Sequence, residues 1–223
     1  MVKRYLSHGV GVNSTALMLM LWEQGIKFES VFVDHGGDYP FTYEYCKYLI
    51  KQGFPITILK PEVEGTNTIE EYCQKYNYLP TFKHRWCTDK FKIRPMKKYF
   101  DKPCVCYIGI AYEEKKRLKN IRFDKKIDNQ YPLVDERVDR GQCIDIIKDY
   151  GLKVPNKSGC WLCPFMRKVE VRHLYLYNRD LYNKRKALEH NCMREDFYLT
   201  HGHPIETVAL EGCPSIFEYV ITK

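Results

Sequence analysis

The sequence predicts an α/β fold: an open, mostly parallel twisted sheet with helices on both faces, followed by a small C-terminal helical segment that contains cysteines. Three observations carry this expectation. Short apolar runs that suit buried strands alternate with longer helical stretches through the first half of the chain, the pattern of βαβ crossovers. The first run hands over to a helix through a glycine-containing loop. Past residue 155 the texture changes to a turn-rich loop and charged helices, which divides the chain into 1–155 and 156–223.

Lys3 to Ser7 reads as a short strand, and the apolar run from Thr15 through Trp22 as a helix buried on most sides. Ser30 to Asp34 and Pro55 to Leu59 read as strands, with a helix from Thr42 to Lys51 between them. Thr68 and Glu71 have the spacing of a capping box, in which hydroxyl and carboxylate each satisfy a free amide at a helix start. Pro95 suits a first helical turn leading to Phe100, and Cys104 to Gly109 a buried strand. Asp139 and Gln142 open a further helix that ends near Gly151. Lys168 to His190 reads as charged helices with Leu174, Leu176, Leu181 and Leu188 facing inward.

With 44% hydrophobic and 29% charged residues the composition is that of a folded protein and excludes a disordered one. The longest apolar stretch, Ala16 to Trp22, is far short of the roughly 20 residues of a bilayer span, and the basic start Met1-Val2-Lys3-Arg4 lacks a signal's apolar segment. No membrane association and a cytoplasmic location are expected. In that setting the 10 cysteines read as reduced thiols, and Cys46, Cys73, Cys104, Cys106 and Cys143 as buried fillers. A net charge of +8 favours anionic partners, either a nucleotide, a nucleic acid or a small anionic sulfur acceptor; its bland counterpart is a solvated, lysine-rich surface.

The loop Ser7-His8-Gly9-Val10-Gly11-Val12-Asn13-Ser14-Thr15 lies where main-chain amides converge and the helix dipole favours an anion. Gly9 and Gly11 are expected to permit close approach and positive φ, and Ser7, Ser14 and Thr15 to donate hydroxyl hydrogen bonds to phosphate. A tight turn with a capped helix is the simpler reading. The loop is neither a Walker A motif nor a dinucleotide fingerprint, since no Gly-Lys-Ser/Thr follows and the third glycine is missing.

Gly9-Val10-Gly11-Val12-Asn13-Ser14-Thr15 resembles a variant of the PP-loop found in PAPS-reductase-like proteins of the adenine nucleotide alpha hydrolase superfamily, with Asn13 where aspartate is usual. Further stretches are similar to the same family. Asp34 in Phe32-Val33-Asp34-His35-Gly36-Gly37 matches a residue near the nucleoside, and Gly109, Glu113 and Arg117 match a later motif in which Ala111 replaces arginine. Tyr131-Pro132-Leu133 matches as well, and Arg85-x-Cys87-x-x-x-x-Lys92-x-x-Pro95 resembles a signature whose basic residues contact the substrate anion. The resemblance implies ATP or a related adenine nucleotide as ligand, with magnesium, Gly109 beside the nucleoside, and Arg85, Lys92, Arg94 and Arg117 on the substrate anion.

Cys160 and Cys163 stand at the two-residue spacing by which a turn grips one metal ion, and Cys87, flanked by cations expected to lower its pKa, offers a third thiolate. In cluster-containing members of the superfamily such cysteines meet over the nucleotide pocket, which makes Cys87, Cys160 and Cys163 the ligand set, with Cys213 as the fourth candidate and Cys192 behind it. A 4Fe-4S cluster, a zinc ion and free redox-active thiols all fit this pattern. Isolated histidines such as His173, His190, His201 and His203 are read as surface or packed residues.

These features together imply ATP-dependent activation coupled to sulfur transfer or reduction, with Cys87 as a reactive thiol, an electron or sulfur donor protein as partner and a homodimer as one assembly. Two alternatives stand beside this: a PAPS reductase proper, whose Glu-Cys-Gly-Leu-His motif is replaced here by Glu211-Gly212-Cys213-Pro214, and a noncatalytic nucleic-acid-binding module with a structural zinc.

Overall fold

A computed structural model describes residues 2–120, 124–192, 198–199 and 202–210. Five strands, β1 (Lys3–Ser7), β2 (Glu29–Val33), β3 (Ile56–Leu59), β4 (Cys104–Ile108) and β5 (Ile127–Gln130), form one sheet in the order β3-β2-β1-β4-β5. Every pairing is parallel; Tyr5 faces Glu29 on one side and Cys106 on the other.

The helices are α1 (Val12–Glu23), α2 (Pro40–Lys51), α3 (Ile69–Tyr76), α4 (Trp86–Thr88), α5 (Arg94–Tyr99), α6 (Pro132–Asp135), α7 (Arg140–Asp149), α8 (Lys168–Tyr177), α9 (Arg179–His190) and α10 (Ile205–Leu210). A π-helical turn (Asp89–Ile93) joins α4 to α5, and a 3-10 helix spans Tyr112–Asn120.

Neighbouring residues on each inner strand are both buried because the sheet is covered on both faces. Leu6, Phe32 and Tyr107 pack with Leu17 and Leu21 of α1, Leu49 of α2 and Ile147 of α7. Tyr5, Val31 and Cys106 point the other way, onto Phe100 and Met96, and Tyr5 stacks on Phe100 with ring centroids 4.3 Å apart. The all-round apolar helix α1 follows from the same logic: Ala16, Leu17, Met18, Leu19 and Leu21 are all buried, each large side chain contributing roughly 1.5–3 kcal/mol.

The helix caps form as their spacing predicts. Glu71 N–H donates to Thr68 Oγ1 at 3.1 Å while Thr68 N–H donates back to Glu71, and Gln142 N–H donates to Asp139 Oδ1 at 2.9 Å. Gly151, at φ +68°, follows α7.

One expectation needs correction, and one strand had no counterpart in the sequence reading. Leu176 is 49% exposed, because two residues along α8 turn it about 200° from buried Leu174. β5 carries no apolar pattern beyond Ile127; it is an edge strand defined by its ladder to β4, where Cys104 faces Ile127.

The chain winds from β1 out to β2 and β3, then returns across β1 to β4 and β5. The loops leaving β1 and β4 therefore diverge at the carboxyl edge, and this switch point is where open α/β sheets open a crevice. A second core joins Tyr39, Ile69, Leu79 and Phe91 to Trp161, Val171, Leu174 and Ile205, so residues on either side of 155 share one apolar cluster. Among the described residues no helix is long and apolar enough to cross a membrane.

Candidate functional site

The glycine loop sits at the switch point, between the ends of β1 and β4. Its positive φ falls on Val10 (+52°), not on Gly9 or Gly11 as the sequence reading expects. For a β-branched residue this conformation is a strained outlier, held here by a buried side chain, and such strain gathers at functional loops. Gly109, at the end of β4, lies against the first turn of α1: a Cβ there would come within 2.8 Å of Ser14 Cα and 2.9 Å of Ser14 N. The Ser14 hydroxyl turns back on Gly11, 3.3 Å from its nitrogen. Thr15 is fully buried, with its hydroxyl 3.5 Å from His8 Nε2, and Ser7 Oγ donates to Met96 Sδ at 3.4 Å. All three hydroxyls are engaged inside the fold, since Ser14 Oγ also donates to the Gly11 carbonyl at 3.2 Å, which leaves the main-chain amides as the loop's free donors for an anion. His8 is buried between Ser30 and Thr15, and desolvation lowers its pKa to about 3, so the imidazole is a neutral brace under the loop.

The cysteine loop lies across this edge. A Cβ on Gly11 would stand 2.4 Å from Ser158 Oγ, and a Cβ on Gly37, after β2, would stand 2.7 Å from Cys160 Sγ. Main-chain hydrogen bonds fix the arrangement: Trp161 N–H donates to the Gly37 carbonyl at 3.0 Å and Tyr39 N–H to that of Gly159 at 3.2 Å. Ser158, Gly159 and Cys160 thus bridge the glycine loop and the second strand. Cys163 N–H donates to the Cys160 carbonyl at 3.0 Å, closing the turn between the two thiols.

Cys87, Cys160 and Cys163 line one cavity of about 200 Å³, together with His35, Arg85, Thr88 and Lys92. The three thiols are the donor types that an iron–sulfur cluster or zinc requires. Among the described residues no three His, Cys, Asp or Glu groups are drawn into a metal-holding cage, and Cys213 lies outside the described residues. The expectation that nearby cations depress the Cys87 pKa is corrected: burial is the larger effect and raises it, with Lys92 opposing only weakly. Burial and then Asp38 push the Cys160 thiol well up.

Lys92 lines this cavity from within the π-helical turn. The wider winding of that turn, in which Arg94 N–H donates to the Asp89 carbonyl, leaves Lys92 lining the cavity with Cys87 while its neighbour Phe91 is buried. Arg94 faces elsewhere, into a separate cavity of about 590 Å³ shared with Lys60, Lys90 and Lys98, and pairs with Asp89 at 2.6 Å. Arg117 stands by the glycine loop: it donates to Glu114 Oε1 at 2.8 Å, and Glu114 Oε2 accepts from Asn13 Nδ2 at 3.0 Å. Arg140 donates to Asn13 Oδ1 at 3.3 Å. The four basic residues grouped by the sequence reading are therefore divided, with Arg85 and Lys92 at the thiols, Arg117 at the loop and Arg94 apart from both. The same network gives a reason for Asn13: an aspartate would set two carboxylates face to face across that 3.0 Å contact.

Asp34 Oδ1 accepts from Gly36 N–H at 3.1 Å, so this carboxylate shapes the turn after β2. Beside it His35 and Asp38 form a buried pair, with Nε2 and Oδ2 3.3 Å apart. Burial, then Lys92, lowers the His35 pKa to about 2, while burial raises that of Asp38. Sequence reading missed both, and it missed Ser158 and Arg185. Arg185 is fully buried beneath the cysteine loop, donating to the Trp161 carbonyl at 2.9 Å, with its Nε 3.5 Å from Glu189. Its signal was an Arg and a Glu four apart on the face of α9 that carries Leu181 and Leu188.

Residues 3–138, more than half of the chain, match the family model of the phosphoadenosine phosphosulfate reductase domain. The chain is 29% identical over 140 residues to an uncharacterized nin region protein, ORF290, of Escherichia phage lambda, a match covering 49% of this chain and 48% of that protein. It spans about half the length of this curated relative. In fold it is similar to the phosphoadenylyl-sulfate (PAPS) reductase of Candida auris in its phosphate complex, with a TM-score of 0.55, 16% identity, and coverage of 72% of this chain and 82% of the other. With a parallel sheet, a glycine loop at its switch point and the matched span in hand, the chain belongs to the phosphoadenosine phosphosulfate reductase domain family of nucleotide-using, sulfur-related enzymes.

Proposed function

We propose that the protein binds ATP or a related adenine nucleotide on the Gly9–Ser14 loop and couples activation of an acceptor to sulfur transfer or reduction at the Cys87, Cys160 and Cys163 cavity. The observation that carries this reading is the bridge from Ser158 to Cys160, which sets the thiols beside the anion loop on one edge of the sheet. In the first step an acceptor oxygen bonds to the α-phosphorus as the bond to pyrophosphate breaks, pyrophosphate leaving with the electron pair. Hydrosulfide released by a donor protein then forms a C–S bond as the C–O bond to AMP breaks, AMP leaving with the electron pair. Amides of the loop and the Arg117–Glu114–Asn13 network orient the phosphates, whose charge a magnesium ion would share when bound, and Arg85 and Lys92 hold the acceptor's anionic end. Cys87, Cys160 and Cys163 would hold a 4Fe-4S cluster or zinc, which would supply sulfur binding or electron transfer beside the nucleotide.

The test is anaerobic purification followed by iron and zinc analysis, an absorption spectrum and an ATP incubation. The expected result is metal lost in Cys160→Ser, a broad band at about 400 nm if the metal is iron bound by thiolates, and nucleotide binding with pyrophosphate release once the acceptor is present. Protein that binds no adenine nucleotide and carries neither metal contradicts the reading. Sulfite released from PAPS, without any use of ATP, would instead make the protein a PAPS reductase proper.

A further inference from the structure

Two phenylalanines stand out of the surface near the thiol cavity. Phe82 and Phe165 are 50% and 49% exposed, belong to different loops, and meet edge to face with ring centroids 4.8 Å apart. The Arg85 guanidinium lies 5.2 Å from the Phe165 centroid. Arg85 and Phe165 also line the thiol cavity, so a flat group resting on this surface arrives at its mouth.

The two segments that carry these rings have no acidic residue of their own. Residues 72–88 contain no Asp or Glu but include Lys75, Lys83 and Arg85, and residues 150–169 contain none but include Lys153, Lys157, Arg167 and Lys168. Lys157 and Arg167 share Glu170 as a partner, which leaves the two segments net positive. Exposed aromatic faces flanked by cations bind strands whose bases are unstacked: the π-face takes the base and the cations take the phosphates. A duplex hides its base faces, and an acidic peptide offers charge without a flat ring.

We propose that Phe82, Phe165 and Arg85 form a stacking platform for an unpaired base, and that single-stranded nucleic acid is the acceptor presented to the thiol cavity. The acceptor role rests on the proposed sulfur chemistry, whereas strand binding and nucleotide binding are read separately.

The experiment uses the full chain and fluorescence anisotropy with labelled single-stranded DNA, single-stranded RNA and a duplex of the same sequence, with ATP binding measured on the same preparations. A single strand is expected to bind more tightly than the duplex and less tightly as salt rises. Phe82→Ala and Phe165→Ala should each lose about tenfold in affinity, as removal of a base–aromatic stack does. Phe165→Tyr should retain binding, and Phe82→Ala should bind ATP as the parent does. The DNA and RNA arms identify which strand is taken. Equal binding of the duplex, displacement by polyglutamate as readily as by unlabelled strand, or alanine variants that bind like the parent would each overturn the platform. Those outcomes with ATP binding intact leave the nucleotide reading standing; absence of ATP binding in the parent, with the strand data as expected, sinks that reading alone.

Discussion

Arg185→Met is expected to destabilise the protein by about 3–5 kcal/mol, the cost of leaving one member of a buried ion pair uncompensated. Arg185 and Glu189 lie deep in the second core, with Nε and Oε1 3.5 Å apart. The glutamate also accepts from Leu199 N–H at 3.3 Å and from Ile205 N–H at 3.2 Å, so one pair ties α9 to the segments that follow it. Burial already raises the Glu189 pKa, and Arg185 is the largest of the influences that oppose it. Methionine of similar reach fills the space but leaves the carboxylate without its cation and the Trp161 carbonyl without its donor. In a chain of this size the loss corresponds to a fall in Tm of roughly 6–20 °C. The exposed Lys184–Glu70 pair, spanning 3.1 Å, supplies the contrast, since pairs of that kind contribute at most about 1 kcal/mol. Thermal unfolding of the two variants side by side decides the matter, and a fall for Arg185→Met no larger than that for Lys184→Met would contradict the assignment.

Gly109→Ala is expected to cost about 1–3 kcal/mol of stability, as overpacking does, and to cost more in nucleotide affinity than in stability. The added methyl would meet Ser14 Cα at 2.8 Å, Ser14 N at 2.9 Å and Asn13 C at 3.1 Å. All three are main-chain atoms, so no side-chain rotation relieves the contact, and the end of β4 must part from the first turn of α1. That turn holds the amides proposed to grip phosphate. Gly11 is less demanding, because its nearest neighbour, Ser158 Oγ, can rotate away. Calorimetric ATP titration of Gly109→Ala, with chemical unfolding in parallel, measures both effects. Parental affinity in the variant would show that the contact between β4 and α1 does not set the loop's shape.

The sheet was legible in the sequence because its causes are local. Short, β-branched runs such as Ser30-Val31-Phe32-Val33 suit a strand covered on both faces, and the caps at Thr68 and Asp139 are spelled within four residues. β5 was not legible, since an edge strand with one buried residue is made by its neighbour's ladder and not by its own pattern. In the site, the two-residue spacing marked Cys160 and Cys163 as a pair and the family resemblance implied Cys87 beside them, and the three thiols line one cavity, whereas the approach of Cys160 to the end of β2 had no sign in the sequence. The separation of Lys92 from Arg94 depends on a π-helical turn for which no residue pattern was recognised, and the role of Ser158 depends on a loop crossing the sheet edge. Burial of Arg185 and His35 is a property of the assembled core. For His35 only the neighbours that the fold brings together reveal it, whereas Arg185 left one sign, a glutamate four residues on along the apolar face of α9.

Amide hydrogen exchange across residues 8–16, with and without ATP and magnesium, tests the central claim most directly. The account predicts that amides from Gly9 to Ser14 slow markedly when nucleotide is added, together with those around Ser158, while the exposed ends of α8 and α9 exchange as before. Unchanged exchange in the glycine loop at saturating nucleotide, with protection appearing instead around the Arg94 cavity, would contradict it.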